Sequence, residues 1–439
     1  MIKTKEYQKR RTNLIDGLLP SSIVILAGAR AVMRSNDTDY AFRQNSHFYY
    51  LTGFPEPEAY LILSNLADKP QSMLFCLPKD REKEIWQGRR IGPEQAAADY
   101  GLAHALSNAS FESSIAEWID GHDNLYWIQG QDIQLEQQIM QACLDLRNAP
   151  KQRHRAPNTF IDISAKISTM RQIKSPAEIE LMQKACDISI EAHRKAICHA
   201  RDGIMEYELQ AELEHHFRIQ GGWEPAYGSI VASGENACIL HYTDNNQQLN
   251  KEQMVLIDAG VEFQGYAADI TRTFPVSGKF NPEQASLYQL VLDAQCAAIE
   301  KVRPNAILSE INDVAVEILT QGLIALGLLT GDLADNIKNK HYRNYYMHGI
   351  GHWLGMDVHD VGHYREYGKD MPLKPGMVIT IEPGLYIAAD AQVDRKWRGI
   401  GIRIEDDLLV TETGHRVMTQ KLEKTIEDIE RLMLDKSCE

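Results

Sequence analysis

Nothing in this 439-residue sequence approaches the run of about 20 apolar residues that a membrane-spanning helix needs. The most apolar stretch, ILTQGLIALGLL at 318–329, is interrupted by Gln and Gly and reads as a buried helix. The first residues, MIKTKEYQKRRTNLIDGLLP, are charged and lack the apolar core of a secretory leader, so a cytoplasmic protein is expected. Cysteine is sparse. The seven thiols, at 76, 143, 186, 198, 238, 296 and 438, form no CxxC pair. They make a poor disulfide framework and a poor zinc ribbon, and they suit a reduced compartment. There is no long Lys/Arg run, and 46 basic against 61 acidic residues leave a net charge of −15. That balance argues against nucleic acid or an anionic membrane as the main partner.

What is present is the composition of an ordinary globular protein, 44% hydrophobic and 24% charged, in a chain long enough for two domains. In the first 170 or so residues, SIVILAGA, YLILSN, SMLFCLP and NLYWIQG read as strands. The helix-like segments EQAAADYGLAHAL, IQLEQQIMQACLDLR and FIDISAKISTMRQI lie among and after them. Strands interleaved with helices predict an α/β domain on a mixed, mostly covered sheet over residues 1–172. That half contains no metal-ligand spacing and no Gly-rich phosphate loop.

A boundary follows at Ser175-Pro176-Ala177-Glu178, where an N-cap serine, a proline in the first turn and a capping-box glutamate predict the start of a long helix. Residues 173–439 then read helix, helix, strands, helix, helix, strands. This order suggests an α+β domain with an internal duplication. The second helix, YELQAELEHHFRIQ, carries Leu209, Leu213 and Phe217 at helical spacing and stops at Gly221-Gly222.

Two stretches of this second domain are rich in carboxylates and imidazoles. In VLIDAG…GYAADITRTF, at 255–274, a hairpin would set Asp269 opposite Asp258. Two such charges repel unless a cation lies between them. In residues 341–407, His348, His352 and His359 fall within twelve residues, Glu382 closes the strand MVITIE, and Glu405 follows Arg403 in GIRIEDD. An acid ending an apolar strand is costly to bury unless it is paired or liganded. Taken singly, each has an ordinary alternative: turn aspartates, a structural histidine, a surface Arg–Glu pair. Four carboxylates with one imidazole make a hard oxygen shell that favours Mn²⁺, with Zn²⁺, Co²⁺ or Fe²⁺ as alternatives, and two ions rather than one.

Asp in LIDAG, Asp in ADITR, His in HGIGHWLG, Glu in IEPG and Glu in IRIEDD, in this order, resemble the pita-bread metallopeptidases. RQNSHFYYLTGFPEPEAYLIL at 43–63 resembles the N-terminal domain of the aminopeptidase P (Xaa-Pro aminopeptidase) branch. The resemblance implies two ions, one held by Asp258 and Asp269 and the other by Asp269, His352, Glu382 and Glu405. A hydroxide bridging the ions would be the nucleophile, with Glu382 as the proton shuttle. It also implies His241 and His359 at the scissile carbonyl, His348, Arg403 and Tyr386 on the proline side, and peptides with proline in second position as substrates. Trp86, in EIWQGRR, matches a tryptophan that reaches a neighbouring subunit's site in the family's dimers or tetramers.

Ala268 and Ala226-Tyr227-Gly228 depart from the usual pattern of that branch, the latter towards the dipeptide-cleaving prolidases. Prolidase activity is therefore the alternative reading. A metal-free binding module is the third, and it is weakened by the presence of all five ligands.

Overall fold

The protein was examined as a computed structural model, which describes residues 2–435. It forms two compact units, Met1–Arg171 and Gln172–Glu439.

In the first unit, six strands form one mixed sheet in the order His104–Ser107, Ser72–Cys76, Tyr60–Ser64, Ser22–Ala27, Asn124–Trp127, Thr159–Asp162. The Ser22–Ala27 strand runs antiparallel to Tyr60–Ser64 and parallel to Asn124–Trp127. Its alternating Ile23 and Ile25 pack with Phe75, Phe111, Leu125 and Ile139 into one core cluster. The expected helix EQAAADYGLAHAL is only half helical: it ends at Asp99, and His104–Ser107 becomes the edge strand. Gly101, at φ +60, turns the chain there. FIDISAKISTMRQI divides in the same way into the strand Thr159–Asp162 and the helix Ser164–Gln172.

The second unit opens with the long helix Pro176–His199, where Glu178 accepts the Ser175 amide at 2.9 Å. It packs beside the helix Glu206–Ile219, which buries Leu209, Leu213 and Phe217. Three antiparallel strands follow, in the order Ile230–Ser233, Met254–Asp258, Thr271–Pro275. The scheme then recurs. The paired helices Pro282–Lys301 and Leu308–Ala325 precede the antiparallel strands Val378–Ile381, Asp406–Val410 and His415–Val417. Both repeats begin on a proline in the first helical turn, where the missing N–H costs nothing.

Gly234–Cys238 is a 3₁₀ turn, and an irregular segment carries His241. The hairpin after Asp258 is interrupted by the short strands Val261–Phe263 and Tyr266–Ala267, so Asp258 faces Thr271 and not Asp269. GIRIEDD breaks at Ile404-Glu405, its two halves joining different small sheets. Among the described residues five cysteines are free thiols. No helix among the described residues is long and apolar enough to cross a membrane.

Candidate active site

Each carboxylate of the site stands where a strand ends or breaks, so its backbone is fixed while its side chain leaves the sheet. Asp258 closes Met254–Asp258, and Asp269 lies just before Thr271–Pro275. Glu382 follows Val378–Ile381, and Glu405 sits in the gap between Ile400–Arg403 and Asp406–Val410. The histidine loop is pinned to the strand that delivers Glu382. The Glu382 amide donates to the Ile350 carbonyl at 2.8 Å, and the Thr380 amide to the His352 carbonyl at 3.0 Å. The approach is close enough that a Cβ on Gly351 would lie 1.9 Å from the Thr380 carbonyl oxygen, so only glycine fits there.

These elements converge on a cavity of about 510 Å³ lined by Asp258, Asp269, His352, Glu382 and Glu405, and by His241, His348, His359 and Arg403. Oxygens of Asp269 and Glu405 and a ring nitrogen of His352 lie within 4.8 Å of one another, a spacing one cation can span. His352 donates from Nδ1 to the Trp353 carbonyl at 3.0 Å, which leaves Nε2 free to ligate, 3.3 Å from Asp269 and 3.7 Å from Glu382. Burial acts to lower the His352 pKa, but Asp269 and Glu382 outweigh it and lift the imidazole to about 9. Burial, and then the neighbouring Asp269 and Glu382, holds Glu405 well above the carboxylate range. Burial and Asp258 raise Asp269, and burial brings Glu382 to about 7. Carboxylates crowded in this way repel one another, and a cation between them relieves the repulsion. Their oxygens, with one free imidazole nitrogen, suit a hard divalent ion.

Asp258 behaves differently. Burial acts to raise its pKa, but Arg403 and Tyr227 more than offset this and hold it below its ordinary value. Arg403 donates to Asp258 at 2.6 Å, to the Tyr386 hydroxyl at 3.0 Å and to Thr271 at 3.1 Å. Tyr386 in turn donates to His348 Nε2 at 2.8 Å, while His348 Nδ1 donates to the Gly349 carbonyl at 2.8 Å. Burial and Arg403 push His348 down to about 4, so this relay keeps a neutral imidazole. His359 packs against His352 with ring centroids 4.1 Å apart and the rings tilted by 48°. The next residue, Asp360, is tied to Lys174 by a buried ion pair of 2.9 Å.

Trp86 lies in the first unit, on the helix Arg81–Gln87, and is 87% exposed there. Sequence reading missed Tyr227 as a site residue. Its hydroxyl reaches Asp258 at 2.6 Å and Asp269 at 2.5 Å, which a tyrosine in a short polar PAYGS segment does not announce. It also missed Arg272, fully buried behind the site, which donates to the Glu405 carbonyl at 2.6 Å and to Asp406 at 2.8 Å.

The profile of Metallopeptidase family M24 matches residues 180–412, and that of the aminopeptidase P N-terminal domain matches residues 7–126. The Xaa-Pro aminopeptidase of Escherichia coli is 43% identical over 99% of this chain and 98% of its own length. The solved aminopeptidase PepP of Pseudomonas aeruginosa superposes with a TM-score of 0.98 at 43% identity, covering 100% of this chain and 99% of that one. Zn-substituted E. coli aminopeptidase P in complex with product gives 0.97 at 42% identity, covering 99% of each chain. A pita-bread catalytic domain with a carboxylate-rich metal centre is the class of protein that fold and site define. The chain belongs to metallopeptidase family M24 and carries the N-terminal domain of aminopeptidase P.

Proposed function

We infer that this chain is a metal-dependent Xaa-Pro aminopeptidase, an exopeptidase that cleaves the bond between an N-terminal residue and a following proline. The observation that carries the reading is the Asp269–His352–Glu405 cluster at the floor of the histidine-lined cavity. It stands in a chain that matches an enzyme of that name over nearly its whole length. An Xaa-Pro bond is a tertiary amide without an N–H, which a protease gripping an extended backbone ladder would hold badly. A cavity flanked by a metal centre and a locked imidazole–tyrosine–arginine relay needs no such ladder.

Asp258 and Asp269 would hold one ion, and Asp269, His352, Glu382 and Glu405 a second, with Asp269 and Glu405 shared between them. Mn²⁺ is the ion we propose, because oxygen dominates the donor set. When bound, such ions acidify a water and polarise a carbonyl. Glu382, brought to about 7 by burial, is suited to take a proton from the attacking water and return it to the leaving proline nitrogen. His241 and His359 are assigned to the scissile carbonyl as its oxygen gains charge. His348, neutral and fixed by Tyr386, lines the proline side with Arg403.

Residues 1–172 are proposed as the N-terminal domain and 173–439 as the catalytic one. The exposed Trp86 and Ile85 on one short helix support assembly into a dimer or tetramer. Five free thiols among the described residues support a reducing, cytoplasmic setting.

The test is hydrolysis of a series of Xaa-Pro and Xaa-Pro-Yaa-Yaa peptides by protein reconstituted with Mn²⁺. Release of the first residue from the longer peptides is expected. Cleavage of dipeptides alone would make the enzyme a prolidase, and no metal-stimulated cleavage would leave a binding module.

A further inference from the structure

The helix Glu206–Ile219 carries three polar side chains at successive turns, Glu206, Gln210 and Glu214, all bonded to the stretch 229–247, which runs from the strand Ile230–Ser233 through the 3₁₀ turn to the irregular segment that holds His241. Glu214 accepts the Ser229 hydroxyl at 3.0 Å, and Gln210 accepts the Asn245 side-chain amide at 2.9 Å. Glu206 does far more. Fully buried, it accepts the amide and the hydroxyl of Ser233 at 2.7 Å each and the Asn236 side chain at 3.1 Å. Its other oxygen accepts the Tyr242 hydroxyl at 2.8 Å and the Gln247 amide at 2.9 Å.

A buried carboxylate is tolerated only when its oxygens are satisfied, and here uncharged donors from one segment supply five hydrogen bonds. Those donors bracket His241 on both sides. Tyr242, the residue after it, is bonded to Glu206 and also packs in a core cluster with Leu256 and Tyr386. His241 itself makes no part of that core and faces the cavity. Its backbone therefore takes its place from the helix.

We propose that Glu206, with Gln210 and Glu214, is a positioning device that sets His241 against the scissile carbonyl. The proposal rests on the assignment of His241 made above and adds to it the group that holds that histidine. A catalytic donor displaced by about 1 Å loses on the order of 10²-fold in rate, so loosening this segment should appear in turnover rather than in metal binding.

The experiment is a double-mutant cycle in the Mn²⁺-loaded full-length protein, using Glu206→Gln and His241→Ala singly and together, with kcat, KM and bound metal measured. The NH₂ that E206Q puts in place of one carboxylate oxygen donates and cannot accept, so the donors facing that oxygen lose their partner. Its expected effect is a fall in kcat of about ten- to a hundredfold, with metal content and KM near wild type. In the H241A background the same substitution should cost less than about twofold, because the group it positions is gone. Gln210→Met, a milder change on the same stripe, repeats the cycle where E206Q folds poorly. Equal losses in both backgrounds, or loss of metal in the single stripe variants, would overturn the positioning role. Wild-type kcat in H241A alone would overturn the assignment of His241, and the proposal with it.

Discussion

Arg403 Nη2 and Asp258 Oδ2 lie 2.6 Å apart although 145 residues separate them in the chain. The pair is nearly buried, and the same guanidinium also holds Thr271 and Tyr386. Arg403 thus braces a metal-side carboxylate from the first half of the domain while it faces the substrate cavity from the second.

Replacing Arg403 by Met leaves Asp258 a buried carboxylate without its cation. Breaking such a pair by removing one partner costs about 3–5 kcal/mol. The metal-free variant should be destabilised by that order in urea denaturation, and saturating Mn²⁺ should recover part of the deficit by giving Asp258 a new counter-charge. A deficit that Mn²⁺ leaves unchanged would mean Asp258 takes no part in metal binding.

Glu382→Ala removes the proposed shuttle and ligand but leaves the strand Val378–Ile381 intact. Turnover should fall by about 10²–10⁴-fold with the circular-dichroism spectrum retained. His359→Ala should lower kcat by about 10²-fold while metal content stays at the wild-type level. Metal lost from the His359 variant would redraw the ligand set.

Metal binding should release protons. Burial brings Glu382 to about 7 and raises Asp269 and Glu405, and the carboxylates outweigh burial to lift His352 to about 9. All four hold more protons without metal than they can keep as ligands, so affinity should rise as pH climbs through 7 towards 9. Calorimetry of Mn²⁺ binding in two buffers of different ionisation enthalpy measures the number released. Zero protons at pH 7 would contradict the ligand assignment.

Strong acid should also act on a network outside the cavity. Burial acts to raise Asp406, but Arg272 and Lys424 override it and hold Asp406 far below the ordinary carboxylate range. A depressed pKa contributes stability that is present above the unfolded value of about 3.9 and is lost as pH falls below it. Asp406→Asn should therefore cost stability fully at pH 6–8, with its gap from wild type narrowing below about pH 4. Thermal melts of both proteins across that range give the comparison. A gap that widens in acid would reverse the assigned sign.

Much of the site was legible because its residues sit in short motifs with local reasons to be there. Asp258 and Glu382 end apolar strands, and Gly351 lets His352 approach the strand beside it. The order of helices and strands was readable from periodicity and from Pro176 and Pro282, each opening a helix. Other features were not legible. Tyr227 belongs to the site only through two aspartates more than thirty residues away, at separations of 31 and 42. The simple hairpin expected between Asp258 and Asp269 failed because Gly260, close against the Ala268 carbonyl, lets a second small sheet branch off between them.

The sequence by itself determined the chemistry: which acids and imidazoles the chain offers, their order, and the strand ends that present them. Those depend on neighbours within a few residues, where alternation and chain breaks act directly. Only the tertiary structure decided their division of labour. His352 turns Nε2 towards Asp269 because its Nδ1 is held by the Trp353 carbonyl. His348 stays neutral because burial and the nearby Arg403 charge disfavour its protonated form, and Tyr386 donates to its Nε2. A side chain's protonation and partners are set by charges and burial that long-range contacts bring together, and no local pattern in the chain encodes them.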